Sequence, residues 1–357
     1  MKKIVLYILS VTLLMISSCS KYEDPGVGMM DKYYHVKTDG VSLITRVTGK
    51  IDSDVALIMT HGGPGGSSQI FRLNKGVTDL EKYYKIVYWD QRGSGMTQGN
   101  PKKSSITAEQ YAKDQDAIVE FTKQVVGTKK VFLLGHSWGG GLTALYLSED
   151  PSRQDKLKGY IIANGAYNVP GGLSASRQWI INRAKLNILA GKDVNYWKNA
   201  LQFYEKNTQI IADNFLEHAS YLGKLNGARY NKNVKVQKVY MPKFELDAFG
   251  KNPFFVGYNI TYKGESVYTA LNLTNELYKI KLPTHIVWGK HDGLLPEHKE
   301  PGDENETDLV DDFINNVGTA PSQLSFTEYT NSAHEPMAEE EAKFTQDIRN
   351  FIEKYKD

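Results

Sequence analysis

Gly135, His136, Ser137, Trp138 and Gly139 set one serine between two glycines, directly after the apolar run Val131–Leu134 and directly before a helical stretch. A serine on so tight a strand-to-helix turn has its hydroxyl exposed at a helix N-terminus, and the glycines let the backbone pass closely. The chemistry of such a group is attack on an acyl carbon. Serine is a weak nucleophile, so it needs a base within hydrogen-bond reach and an acid to orient that base.

In this motif's context the acid and then the histidine follow the serine along the chain. Asp292 lies in the loop Gly289–Gly293 after the apolar segment His285–Trp288, whereas Asp303, Asp308, Asp311 and Asp312 crowd a charged stretch that reads as a solvated helix. Of the eight histidines, His334 is the one beyond Asp292 in a loop, Thr330–Pro336, between a strand at Leu324–Tyr329 and the last helix. We therefore assign Ser137, Asp292 and His334 as nucleophile, acid and base. A developing oxyanion needs donors fixed in advance. The loop His61–Gly65 (HGGPG) follows the apolar Leu57–Thr60, and the N–H groups of Gly63 and Trp138 are assigned as that pair. A phosphate loop is excluded because no Lys-Ser/Thr ending follows, and no dinucleotide fingerprint is present, so no cofactor is expected. His291 and His298 beside Asp292 suggest a metal, but no close cluster of ligands supports that reading and none is expected.

These residues need a scaffold. Alternating segments at Tyr33–Thr38 and Val41–Thr48, split by Asp39 and Gly40, predict an opening hairpin. Short apolar runs at Val55–Thr60, Lys85–Trp89, Lys130–Leu134, Tyr160–Ala163 and His285–Trp288 then predict buried strands, separated by helical stretches such as Ala108–Val126 and Gly140–Leu147. The result is an α/β architecture with a mostly parallel central sheet flanked by helices. Between Ala166 and Lys281 this alternation gives way to polar, aromatic-rich segments with helices at Arg177–Leu189 and Val194–Tyr204. We read residues 166–281 as an inserted, mainly helical cap between core segments 32–165 and 282–357.

The chain has 43 basic and 41 acidic residues, the excess being Lys2 and Lys3. So even a balance excludes the electrostatic footprint of a nucleic-acid binder. Lys2 and Lys3 precede an apolar run from Ile4 to Ile16, about 13 residues against the roughly 20 that span a bilayer, which favours an export signal. The single cysteine, Cys19, closes the tetrapeptide Ile16-Ser17-Ser18-Cys19. With no second cysteine there is no disulfide framework. Residues 1–18 read as signal peptide and 19–31 as a polar tether.

Three strings together, HGGPG at 61–65, DQRGSG at 90–95 and GHSWGG at 135–140, resemble the proline iminopeptidase branch of the α/β-hydrolases, the S33 peptidase family. The likeness spans about residues 30–165 and 283–357. It implies removal of an N-terminal proline or another small residue from a peptide through an acyl-enzyme on Ser137. It also implies a cap acid for the substrate amine, drawn from Glu205, Glu217, Glu245 and Asp247. Within DQRGSG, a tight turn with Arg92 paired to Asp90 is expected. His136 stands where iminopeptidases often carry glycine, a change shared with esterases and lactonases of the fold, so a carboxylic ester or lactone hydrolase is the alternative. A non-catalytic lipoprotein keeping the fold as a binding module is the rival from another class. The tetrapeptide ending at Cys19 resembles the lipobox of bacterial lipoproteins, which implies acylation of Cys19 and anchoring in the cell envelope outside the cytoplasm.

Overall fold

The computed structural model describes residues 26–97, 100–231, 233–234, 253–298, 300–302 and 308–357. The segment 1–25, with Cys19, and the cap acids Glu245 and Asp247 lie outside them. Among the described residues no helix is long and apolar enough to cross a membrane.

Among the described residues ten strands form: β1 Met29–Thr38, β2 Val41–Lys50, β3 Val55–Thr60, β4 Lys85–Trp89, β5 Lys130–His136, β6 Gly159–Ala163, a two-residue pair β7 Thr261–Tyr262 and β8 Glu265–Ser266, then β9 Thr284–Gly289 and β10 Leu324–Tyr329. Eight make one sheet in the order β1-β2-β4-β3-β5-β6-β9-β10. β1 and β2 are antiparallel, β2 is antiparallel to β4, and every later pair is parallel. The sheet's hydrophobic residues divide by the two-residue period of a strand. On β3, Ile58 joins a core with Val87, Leu133 and Ile162, whereas Leu57 and Met59 join an opposite core with Tyr88, Leu134 and the last helix through Phe344 and Ile348. Both faces are covered, which is why these strands read as continuous apolar runs.

The first strand begins three residues inside the stretch read as tether. Met29, Met30 and Asp31 pair with Lys50, Gly49 and Thr48, Met30 is buried, and Asp31 forms a 2.6 Å ion pair with Arg46. The helices that matter below are α1 Ala108–Gln124, α2 Trp138–Glu149, α3 Val169–Leu189, α4 Val194–Lys206, α5 Phe215–Lys224, α6 Leu309–Asn316 and α7 Glu341–Tyr355. α3 starts eight residues before the expected Arg177. Asn168 caps it by accepting from the Gly171 N–H, and Pro170 sits in the first turn, where its missing donor costs nothing.

Chain order reverses between β3 and β5. The register sets Thr60 opposite Gly135, so the HGGPG loop and the serine turn leave the sheet side by side at the carboxyl ends of their strands, the crevice in which open α/β sheets place ligands.

Arg92 does not pair with Asp90. The buried Asp90 carboxylate already accepts from the N–H groups of Ser68 and Met96, both at 2.7 Å, and from Ser67 Oγ. A β-carbon on Gly95 would strike that carboxylate. Arg92 instead reaches Asp114 on α1, with Nε donating to Oδ2 at 2.6 Å and Nη2 to Oδ1 at 2.7 Å, both residues fully buried. Arg92 also donates to the Asp39 carbonyl and Thr38 to Asp114, so the pair clamps the β1–β2 turn and α1 to the turn after β4. Asp114→Asn leaves a buried guanidinium without its counter-charge. It is expected to cost about 3–5 kcal/mol of folding stability, read as a lowered urea midpoint at unchanged slope.

Candidate active site

Ser137 is held at φ 57°, ψ −126°, a conformation a serine adopts only when its surroundings impose it. The surroundings are backbone. Ser137 N–H donates to the Ala163 carbonyl at 3.0 Å, and its own carbonyl accepts from Gly140 and Ala166. A β-carbon on Gly139 would collide with the Thr60 carbonyl, so α2 can approach β3 this closely only with glycine there. Trp138 opens α2, and its N–H is among those a helix cannot satisfy internally.

The three strings read from the sequence are joined by hydrogen bonds. Gln91 of DQRGSG donates through its side chain to the His61 carbonyl at 2.8 Å and through its backbone N–H to His61 Nε2 at 3.2 Å, and Trp138 Nε1 donates to Gln91 Oε1 at 2.9 Å. His61 is buried, which lowers its pKa against the pull of Asp90. The neutral ring donates from Nδ1 to the Gly62 carbonyl and accepts at Nε2. Gln91 is thus a bridge between the HGGPG loop and the serine turn, a role that its place in a polar string did not reveal.

Asp292 and His334 meet. Nδ1 of His334 donates to Asp292 Oδ2 at 2.7 Å, and both side chains are buried. Oδ1 accepts from the N–H groups of Leu294 and Leu295 at 2.8 and 3.0 Å. The fourth donor is Asn164, which follows β6 in a left-handed conformation (φ 44°) and donates to Oδ2 at 2.7 Å. Sequence reasoning missed Asn164, because nothing near it in the chain marks it as a partner of a residue 128 positions on. His136 couples the serine turn to the histidine loop: its Nε2 donates to the His334 carbonyl at 2.8 Å. Burial, helped by the charge of His334, pushes His136 down to about 3, so it remains a neutral donor. At His334 burial opposes the charged ring, but Asp292 with Glu335 and Glu339 outweighs it and raises the pKa above the ordinary value. Of the rival acids, Asp308 caps α6 by accepting from the Asp311 N–H, and Asp303 lies outside the described residues.

The helices of 166–281 are fastened to the Asp292 loop by one buried polar chain. Tyr204 on α4 donates to His218 Nδ1 on α5, His218 Nε2–H to Ser176 Oγ on α3, and Ser176 to the Gly293 carbonyl at 2.6 Å. Ser176 spends its proton on Gly293, which makes His218 Nε2 the donor and Nδ1 the acceptor. Burial, with Arg177 nearby, lowers His218 to about 4. The pocket at Ser137 is lined by Gly63, Pro64 and Trp138 beside the serine, by Leu173, Phe215, Val267 and Tyr268 from 166–281, and by Leu294 and Leu295 of the Asp292 loop. Among its described lining residues there is no carboxylate. Glu205 is exposed, and the exposed Glu217 accepts from Tyr221.

A serine on a strained turn, an imidazole oriented by a fully satisfied carboxylate and an apolar pocket can together carry out acyl transfer. Residues 53–341 match the family model described as serine aminopeptidase, S33. The chain belongs to the S33 serine aminopeptidase family. It is a hydrolase of the α/β-hydrolase fold. The chain is similar to the proline iminopeptidase of Saccharolobus solfataricus, at 28% identity over 338 residues that cover 92% of this chain and 90% of the relative. Two solved structures share the fold: proline iminopeptidase of Mycobacterium smegmatis, with TM-score 0.58, 19% identity and coverage of 91% and 99%, and an esterase from Exiguobacterium antarcticum, with TM-score 0.55, 17% identity and coverage of 91% and 100%. S33 family membership makes the protonation of His334 directly measurable. As the expected base, His334 has to be neutral to accept the serine proton, so kcat/KM is expected to rise with pH through a midpoint above the ordinary imidazole value of about 6.5. His136 and His218 titrate too low to account for that limb. A pH profile with its midpoint at or below about 6.5 would contradict the assignment.

Proposed function

We propose that the protein is an aminopeptidase that releases N-terminal proline or another small residue from short peptides. The observation that carries this reading is the 2.7 Å contact of His334 with a fully satisfied Asp292, in a chain of the S33 family. His334 takes the Ser137 proton as the hydroxyl attacks the carbonyl carbon. The N–H groups of Gly63 and Trp138 hold the oxyanion, and His334 passes its proton to the leaving amine. Water, activated by the same ring, then releases the acyl group. No cofactor takes part in these steps. The apolar mouth formed by Leu173, Phe215, Leu294 and Leu295 suits a pyrrolidine ring or a small side chain. The helical region 166–281 acts as the cap that admits short substrates. With Glu205 and Glu217 away from the pocket lining, Glu245 and Asp247 are the acids left to meet the free amine.

The apolar lining also favours a second reading, a carboxylic ester or lactone hydrolase using the same three residues. Two-residue peptides with free and acetylated N-termini separate the two. Cleavage of the free form alone is expected, lost in Ser137→Ala and weakened mainly through KM in Glu245→Gln or Asp247→Asn. Turnover of p-nitrophenyl acetate with none of proline p-nitroanilide would sink the peptidase reading.

We also infer that the mature chain begins at an acylated Cys19, tethered to a membrane of the cell envelope and working outside the cytoplasm. The support is the layout of Lys2, Lys3, the apolar Ile4–Ile16 and the single cysteine. Wild-type protein should incorporate labelled palmitate and sediment with membranes, and Cys19→Ala should do neither. A soluble, unlabelled wild type would refute the anchor.

A further inference from the structure

His298, weighed in the sequence with His291 and Asp292 as a metal set and set aside for want of a close cluster, is gathered in the fold with two other carboxylates. One ligand atom each from Glu297, His298 and Glu328 lies within 4.8 Å of the others. Glu297 and His298 lie five and six residues after Asp292 in the loop that follows β9, and Glu328 is on the edge strand β10, opposite Trp288 of β9. The Glu297 side chain is only 2% exposed, and its Oε2 has no hydrogen-bond partner. A carboxylate removed from water with an empty lone pair is costly unless it takes up a proton or a cation is supplied.

The histidine is oriented to supply the complement. Asp308 Oδ2 lies 3.3 Å from His298 Nδ1, and a proton on that nitrogen leaves the Nε2 lone pair facing Glu297 Oε1, also at 3.3 Å. Two acceptors set face to face repel unless a proton or a metal ion sits between them. Ligand atoms at bond lengths of about 2.0–2.1 Å around a tetrahedral ion are about 3.3 Å apart, the separation of Glu297 Oε1 and His298 Nε2, and Glu328 brings its oxygen within 4.8 Å of both. A carboxylate holding the far nitrogen of a ligating histidine is the usual outer support of such an ion.

We propose that Glu297, His298 and Glu328 form a binding site for a divalent transition-metal ion, Zn²⁺ in particular, with water as fourth ligand. One imidazole and two carboxylates suit Zn²⁺, whereas Mg²⁺ prefers oxygen donors alone. Lys290, whose Nζ is 3.2 Å from Glu328 Oε2, moves aside when the ion enters. The ion fastens the far end of the Asp292 loop to β10. Between these points lie Leu294 and Leu295, which hold Asp292 by their N–H groups and line the pocket at Ser137. The site is independent of which acyl substrate the enzyme takes.

Chelator-treated protein titrated with zinc chloride in a calorimeter tests this directly. One ion per chain is expected, with a raised Tm and no comparable effect of magnesium chloride. His298→Ala and Glu328→Gln change partly exposed side chains and should abolish binding while leaving the metal-free Tm unchanged. Asp308→Asn should weaken it about tenfold, the usual effect of losing an outer partner. No saturable zinc binding by the wild type would overturn the proposal and assign the gap to a proton shared between Glu297 and His298. Binding that persists in both His298→Ala and Glu328→Gln would overturn it as well, by placing the ion elsewhere.

Discussion

A carboxylate taken out of water must have its lone pairs met, and much of the site's arrangement follows from how this is done for Asp292. Its four donors come from three places in the chain: Leu294 and Leu295 in its own loop, Asn164 after β6, and His334 after β10. Because Oδ1 is occupied by backbone and Oδ2 is shared with Asn164, one direction remains for the imidazole. The ring is therefore oriented before any substrate arrives, which is what a general base needs.

The same economy recurs around the serine. Backbone contacts hold Ser137 in its strained conformation, and Gln91 and His136 link the turn to the HGGPG and histidine loops. Both histidines nearest the serine turn in these links, His61 and His136, are kept neutral by burial, so they act as fixed dipoles over the pH range in which His334 changes charge. Among the helices of 166–281 the Tyr204–His218–Ser176 chain does similar work, joining three of them to the Gly293 carbonyl next to Asp292. Whatever orders or loosens those helices acts on the Asp292 loop, and the apolar pocket mouth is made from both.

The strands and the serine turn were legible in the sequence because each is a local signal, and the same reading proposed Asp292 and His334, which the fold brings into contact. Buried strands show as apolar runs, the turn as glycines at fixed spacing, and the histidine by its place between the tenth strand and the last helix. The hairpin start, the first two turns of α3 and the partner of Arg92 were not. Met29 and Met30 look like tether until they pair with β2. Arg92 has Asp90 two residues away and nevertheless reaches Asp114, because Asp90 is filled by backbone donors.

By itself, then, the sequence determined the class of chemistry and the sheet that carries it, since hydrophobic period and turn chemistry act over a few residues. Only the tertiary structure decided Asn164 as a support of the acid, Gln91 as the bridge between strings, the polar chain through His218, and the apolar character of the pocket at Ser137. The first three depend on polar side chains with no periodicity, matched to partners up to 128 positions away, and the pocket on apolar residues that separate elements bring together. Such partners are chosen by which lone pairs and donors burial leaves unmet, and that becomes defined only when the sheet and helices have closed around them.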